Sequence, residues 1–336
     1  MITALYAAAA RRRREWYADR PHLRRRLRHP VISIGNIAAG GRGKTPFTAA
    51  VVRMLLDLGE RPAILSRGYG RTQADDGVVV VRDALGIRAD VARAGDEPFM
   101  LARQLPGAIV AVSADRYLAG RLAEHHLGAT VHVLDDGFQH FQLDRDIDIV
   151  LVAPEDLSAQ TFPAGRLREP PDVLIAADAI VAVNGAAASR GSVGDFAGVA
   201  AEGCETFAVR RVTGAPMFEG PGMGDGEKVL ALAGIAEPEG FFRAVRDARI
   251  PVATTCAFKD HHPYSVRDVA GLFADAQAAG ASALLTTEKD YVRLLPHRPF
   301  PLPVGWLPLT MEPEPADAFR QWLVSSMAAA RDITLG

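Results

Sequence analysis

The chain has 336 residues, 49% of them hydrophobic, a net charge of −2 and two cysteines. That is ample material for two cored domains, while Cys204 and Cys256 are too few and too far apart for a disulfide framework or a zinc site, so a reducing, cytoplasmic environment is expected. The small net charge conceals an asymmetry: residues 1–30 hold nine arginines against Glu15 and Asp19, and the acidic remainder disfavours nucleic acid as a partner.

The first predicted element is a basic amphipathic helix within residues 1–30. Its apolar start, Ile2–Ala10, is far shorter than the ~20 residues a spanning helix needs, and its arginine run follows that stretch, the reverse of a secretory signal. Leu5, Trp16, Leu23 and Leu27 fall on roughly one stripe, with a kink at Pro21. Trp16 and Tyr17 suit a membrane interface, so the segment reads as an interfacial anchor on anionic lipid. The alternatives are a basic helix packed on the protein's own core and a nucleic-acid arm.

Val31–Leu56 is the most informative stretch: a short apolar strand, a glycine-rich turn, Lys-Thr, then a helix from Pro46 to Leu58. Helix N-termini offer unpaired N–H groups and a positive dipole end, and glycines let the backbone curl around a polyphosphate. Gly40, Gly41 and Gly43 are the expected nest, Lys44 the charge on the outer phosphates, and Thr45 a hydroxyl for a magnesium ion. Arg42 lies within that loop, and Ala38 stands where the full phosphate-loop pattern has glycine.

Beyond it, strands are expected at Ala63–Ser66, Gly77–Arg82, Ala108–Ser113, Val131–Leu134, Ile147–Ala153 and Ala179–Val183, all in the apolar form of buried parallel strands, with a helix at Arg116–His126. The stretch Ala186–Glu227 reads as a linker or extended hairpin. A second alternation of strands and helices then begins. The expected fold is α/β: two α/β/α sandwich domains, the first a P-loop NTPase-like domain with a mostly parallel sheet. The boundaries are 31–210 for that domain, 211–227 for a linker or hairpin and 228–330 for a smaller domain, with the C-terminal helix free to pack back on the first.

Polar clusters sit at the strand ends, where such sheets bind ligands. Asp135 and Asp136 close an apolar strand, as a magnesium site facing a phosphate loop requires. Asp96 and Glu97 open a helix, either as cap and dipole partner or as base and further metal carboxylate. Asp260, His261 and His262 follow in the second domain; adjacent histidines point apart on an extended segment, so one at most reaches a cleft, and His261 is the choice. Arg116, Arg166, Arg168 and Glu169 lie in runs whose cations suit a phosphorylated substrate.

Taken in order, VISIGN, GGRGKTP, SRGYG, GDEP, SADR, LDDGFQH, LRE, GIAEPEGFF, DHHPY and TTEKD closely resemble the tetraacyldisaccharide 4′-kinase family from about Val31 to Leu294. The resemblance implies a monotopic enzyme on the cytoplasmic face of the bacterial inner membrane, which uses ATP and Mg2+ to phosphorylate the 4′-hydroxyl of tetraacyldisaccharide 1-phosphate. It implies a base at Asp96 assisted by a histidine of the DHH element across the interdomain cleft, nucleotide and metal roles for Lys44, Thr45, Glu97, Asp135 and Asp136, and phosphate or substrate contacts for Arg116, Gln139, His140, Arg168 and Glu169. Two positions depart from the family pattern: Arg42 replaces a small hydroxyl residue and is expected either to contact the β- or γ-phosphate of the nucleotide or to point to solvent, and Arg166 replaces a proline. No obligate protein partner is expected. The rival class is a membrane-associated regulatory P-loop ATPase or GTPase, although the lysine of TTEKD stands one place late for a guanine-reading element. A soluble small-molecule kinase is the other.

Overall fold

The computed structural model describes residues 1–73, 77–183, 196, 198–220, 222–224 and 226–335. Helix α1 (Ile2–Ala18) precedes the first sheet, whose strands are β1 (Val31–Asn36), β2 (Pro62–Ser66), β3 (Val79–Asp83), β4 (Gly86–Ile87), β5 (Ile109–Val112), β6 (Val131–Asp135), β7 (Ile147–Val152), β8 (Ala179–Val183) and β9 (Glu205–Thr213). Its helices are α2 (Lys44–Asp57), α3 (Val91–Ala94), α4 (Asp96–Gln104) and α5 (Arg116–His126). The second sheet takes β10 (Met217–Phe218), β11 (Val229–Ala233), β12 (Val252–Ala257), β13 (Ala283–Thr287) and β14 (Val304–Leu307), with α6 (Pro238–Asp247), α7 (Val266–Ala278) and α8 (Glu288–Leu294). The chain then returns to the first sheet as β15 (Leu309–Glu314) and ends in α9 (Ala316–Leu335).

The first sheet runs β15-β9-β8-β7-β1-β6-β2-β5-β3-β4, and from β9 to β5 every neighbouring pair is parallel. Its central strands β1, β6, β7 and β8 are buried along their whole length, which is why they read as largely apolar runs. One face packs Ile32, Ile34 and Val133 under Phe47, Val51 and Leu55 of α2 and under Phe319 and Leu323 of α9. The other packs Val31, Ala63 and Leu65 against Ala119 and Ala123 of α5. From β1 the chain moves outward through α2 to β2, and it later crosses back to β7 on β1's other side. That reversal opens a crevice at the carboxyl ends of β1 and β6, the usual ligand position of such sheets.

Several expectations change in the fold. The predicted parallel strand at Gly77–Arg82 is β3, the last strand but one of the sheet, antiparallel to both β5 and β4. Only two residues join β3 to β4, too few for a crossover, and Val79 and Val81 are buried while the residues between them are half-buried, the alternation of a one-sided strand. Within Ala186–Glu227, residues 186–195, 197, 221 and 225 lie outside the described residues. The rest is not simply linker: Glu205–Thr213 form β9, and Met217–Phe218 pair with β14. Leu309–Glu314, expected in the second domain, pairs antiparallel with β9 in the first sheet. At the N-terminus the helix stops at Ala18 rather than kinking at Pro21, which begins a single 3-10 turn. Leu27 leaves the expected stripe and is buried against α5, while Leu5, Trp16 and Leu23 remain exposed.

Candidate functional site

At the crevice, Gly43 caps α2 in the left-handed conformation (φ 78°) with no side-chain cap bond, and Gly40 also has positive φ (102°). A Cβ at Gly43 would overlap Met311, so the tight entry into the helix requires glycine there. Lys44 is thereby placed between the two strand ends: its Nζ donates to Asn36 Oδ1 at 3.1 Å and lies 3.5 Å from Asp136 Oδ1. The Thr48 hydroxyl donates to Asp135 Oδ1 at 3.0 Å, and Thr45 makes a long contact of 3.4 Å to Oδ2. Asp135 has no cation bonded to it. Burial, reinforced by Glu97 and Asp136, pushes its carboxyl up to about 7. Asp136, held at φ 58°, behaves in the opposite way. Burial opposes its charge, but Lys44 and Arg168 outweigh that, and Arg168 Nη1 reaches both its oxygens at 3.0 and 2.8 Å, so it titrates below the usual carboxylate range.

The remaining predicted residues divide. Arg116 is buried beside Asp135 and Asp136, and burial followed by the nearby Arg67 lowers it to about 10, still a cation at neutral pH. His140 is neutral, depressed to about 4 by burial and then by Arg116 and Arg145. Gln139 and Glu169 are committed internally. Gln139 Nε2 donates at 2.9 Å to both Asn36 O and Glu169 Oε2, and Glu169, itself buried, receives Arg14 of α1 at 3.0 and 2.8 Å. Glu169 therefore seats the N-terminal helix. Arg42 is also placed otherwise than expected: its guanidinium turns away from the nest to Asp156 (2.5 Å) and Glu155 (3.1 Å). Arg166, the other departure from the family pattern, reaches the same Asp156 oxygen at 2.8 Å.

The opposite wall of the crevice is a seam between α4 of the first unit and α8 of the second. Asp96 begins α4, packed along α8, and its Oδ2 accepts a 2.6 Å bond from Arg293 Nε. Arg293 Nη2 lies 2.8 Å from His261 Nδ1, and its Nη1 donates to Gly234 O and to Asp290, which is fully buried. His261 Nε2 lies 3.2 Å from Lys289 Nζ and 3.4 Å from Asp260 Oδ1. Neither arginine nor lysine has an acceptor, so a neutral imidazole accepts from only one of these cations, and the shorter contact assigns Nδ1 to Arg293 and leaves the proton on Nε2, toward Asp260. His261 Nδ1 is 3.8 Å from Asp96, beyond hydrogen-bond range, so the expected direct Asp–His bond is replaced by a bridge through Arg293. Burial, then Lys289 and Arg293, depress the imidazole's pKa and keep it neutral. His262 faces elsewhere: it stacks on Phe258 and bonds Asp268 of α7 at 3.0 Å. Of the two histidines, His261 alone approaches Asp96.

Glu97 is held by Lys289 at 3.0 Å. Among the described residues no three His, Cys, Asp or Glu side chains are grouped to hold a metal ion, so Thr45, Glu97, Asp135 and Asp136 do not form a closed protein cage. A cavity of about 1000 Å3 lies away from this crevice, against Arg53, Arg210 and Glu312, and includes none of the predicted residues. Arg293 and Lys289 are the functional candidates that the residue pattern did not single out. The available signal was the spacing of Asp290 and Arg293, three apart on a short helix beside Tyr291, Val292 and Leu294, where such charges are buried only as a pair.

Comparison with known proteins places this geometry. Residues 1–328 match the family model described as "Tetraacyldisaccharide-1-P 4'-kinase". Proteins named tetraacyldisaccharide 4′-kinase are similar along most of the chain. That of Geobacter metallireducens is 38% identical over 301 residues, covering 88% of each protein. That of Nitrobacter winogradskyi is 39% identical over 338 residues, covering 98% of this chain and 93% of the relative. The crystal structure of LpxK from Aquifex aeolicus in complex with ATP superposes with a TM-score of 0.77 at 30% identity, covering 97% of both chains.

Proposed function

The chain belongs to the tetraacyldisaccharide-1-P 4′-kinase family, and from that premise we propose how its residues divide the work. The protein is an ATP-dependent kinase of lipid A biosynthesis that transfers the γ-phosphoryl group to the 4′-hydroxyl of tetraacyldisaccharide 1-phosphate. In our reading residues 31–210, joined by β15 and α9, form the nucleotide unit and the sheet from β10 to β14 forms a second unit. Gly40, Gly41, Gly43, Lys44 and Thr45 cradle the phosphates. Arg116 and Arg168 neutralise charge on the transferring group or on the substrate's phosphate.

A divalent cation fits beside the loop. Asp135 is a buried carboxylate whose side-chain hydrogen bonds, among the described residues, come from two threonine hydroxyls, and hard oxygen donors in that setting suit Mg2+. Thr45, Asp135 and Asp136 would hold it, with Glu97 farther out. When bound, the ion supplies charge neutralisation for the phosphates.

Asp96 acts as the base. The 4′-oxygen forms its bond to the γ-phosphorus as the bond to the ADP oxygen breaks, and the hydroxyl proton passes to Asp96. His261 and Arg293 orient that carboxylate from the second unit, so the base is complete only when the two units are in contact. No described helix is long and apolar enough to cross a membrane. The glycolipid instead meets the protein at an anionic surface, the cytoplasmic face of the inner membrane, through α1 with its exposed Leu5 and Trp16.

The observation that carries this reading is the convergence of Lys44, Asp135 and Asp136 from one unit with the Asp96–Arg293–His261 bridge on the facing wall. The test is transfer of labelled γ-phosphate from ATP to tetraacyldisaccharide 1-phosphate in detergent, with Asp96→Ala as control. Labelled lipid from the parent protein and none from the variant supports it. Steady ATP or GTP hydrolysis without an acceptor, and no labelled lipid, would replace it with a nucleotide switch.

A further inference from the structure

We infer that Arg42 serves the phosphate loop by binding Asp156 rather than by touching a phosphate: it is a positioning residue that holds the loop in shape before nucleotide arrives. The inference rests on the reading of Gly40–Thr45 as the nucleotide loop.

Asp156 is fully buried, in the connection between β7 and β8. One of its oxygens accepts the Ala153 N–H at 3.0 Å, and the other takes Arg42 at 2.5 Å and Arg166 at 2.8 Å. Glu155, more exposed, adds bonds of 3.1 Å from Arg42 and a contact of 3.4 Å from Arg166. A buried carboxylate is tolerable only when its lone pairs are filled and its charge is balanced, and Arg42 is one of the two cations that do so here. The same connection also grips the loop through its backbone: Ala39 N–H donates to Arg166 O at 2.8 Å, and Ala38 pairs with Leu167.

Between that backbone grip and the first turn of α2 lie Gly40, Gly41, Arg42 and Gly43. Three glycines make this span costly to order, and two of them already have positive φ. Arg42 is its one side chain long enough to be fastened, and both arms of its guanidinium are fastened to the β7–β8 connection. A loop ordered in advance binds its ligand with less entropy to lose. The cost to the site is that Arg42's charge is spent on carboxylates, leaving Lys44 as the loop's phosphate cation.

The test is MgATP affinity, measured by calorimetry on the full-length protein, for Arg42→Ser, Asp156→Asn and the double variant. Each single change should raise Kd roughly threefold to tenfold, the range expected for leaving a loop and side chain to be ordered on binding. The double variant should be no worse than either single one. At saturating ATP, kcat should stay within about twofold and the KM for the lipid acceptor unchanged, a split that general loss of structure would not produce. Arg42→Lys adds a further check: a single ammonium cannot reproduce the two-armed guanidinium grip on Glu155 and Asp156 and should behave much like serine, whereas a direct phosphate contact would survive as a point charge.

Retained affinity in Arg42→Lys together with normal affinity in Asp156→Asn would overturn the inference and make Arg42 a phosphate ligand. Additive penalties in the double variant, or no change in either single one, would overturn it equally. Lys44→Ala serves as the reference. If it binds MgATP normally, the nucleotide-loop reading itself has failed, an outcome distinct from failure of the Arg42 tether.

Discussion

The phosphate-loop corner and the α4–α8 seam face each other across one crevice, yet they are built differently. The corner is made from neighbouring strands of one buried sheet: β1 and β6 are paired in register, Ile34 opposite Asp135, and the loop and α2 follow directly from β1. Its carboxylates can afford opposite states, Asp136 ionised by Lys44 and Arg168 and Asp135 pushed up by burial. The seam has no shared strands. It is held by side-chain contacts that join residues far apart in the chain, the ion pairs Asp96–Arg293 and Glu97–Lys289 and the hydrogen bond from Gln104 to Glu288. The corner is therefore fixed by backbone hydrogen bonds and the seam by separable polar contacts, which is the arrangement expected if binding is a property of one unit and catalysis requires both.

The sharpest way to break this comparison is Asp96→Asn. Turnover should fall by roughly 10²- to 10⁴-fold, the usual worth of a positioned base, with MgATP affinity unchanged because the corner is untouched. A large rise in the Kd for MgATP would show that the two regions are not separable. Next, Lys44→Ala should lower kcat/KM for ATP by about 10²-fold through loss of a cation aimed at the phosphates, while the KM for the acceptor stays near normal.

A smaller effect is expected from Arg293→Lys. Lysine can meet Asp96 or Asp290 but cannot bridge Asp96, His261 and Gly234 at once, so kcat should drop about tenfold at unchanged nucleotide affinity. The pH profile sharpens the same point. The pKa of His261 is depressed, so the folded protein binds its proton less readily than the unfolded chain does. Stability contributed by the neutral, Arg293-bonded imidazole is present above the unfolded value of about 6.5 and is lost as pH falls below it. In His261→Gln, which cannot titrate, that acid loss in Tm should shrink.

The smallest effect concerns the corner's stability. Asp135 is raised, so the folded state keeps its proton while the unfolded chain ionises. Its penalty grows as pH climbs from about 4 and is complete above about 7. Asp135→Asn should therefore raise Tm by about 3 °C at pH 8 and by nothing near pH 4, while abolishing phosphoryl transfer. An unchanged or lower Tm at pH 8 would show that the carboxylate's burial carries no cost.

The difference between the regions also explains what could be read in advance. The corner was legible because its parts are contiguous: strand, glycines, Lys44 and Thr45, and the apolar run ending in Asp135 and Asp136. Arg116–His126 appears as the helix expected, bounded as predicted. The seam was half legible. Asp96, Glu97 and His261 stood out as polar residues at element ends, but Arg293 lies on an ordinary-looking helix and gains its meaning only from Asp96, 197 positions away. Arg42 was open for the same reason: its place in the loop allowed either a phosphate or solvent as its partner, and the side chain it meets is Asp156, 114 positions on.

By itself the amino-acid order determined the alternation of buried strands and amphipathic helices, the phosphate loop and the family, because periodicity, glycine conformation and helix-terminal charge act over a few residues. Only the tertiary structure decided that β9 and β15 extend the first sheet, that Glu169 seats α1 through Arg14, and that Arg293 stands between Asp96 and His261. Those outcomes depend on which charges meet when distant segments pack, and a buried charge takes whichever partner the fold brings within about 3 Å.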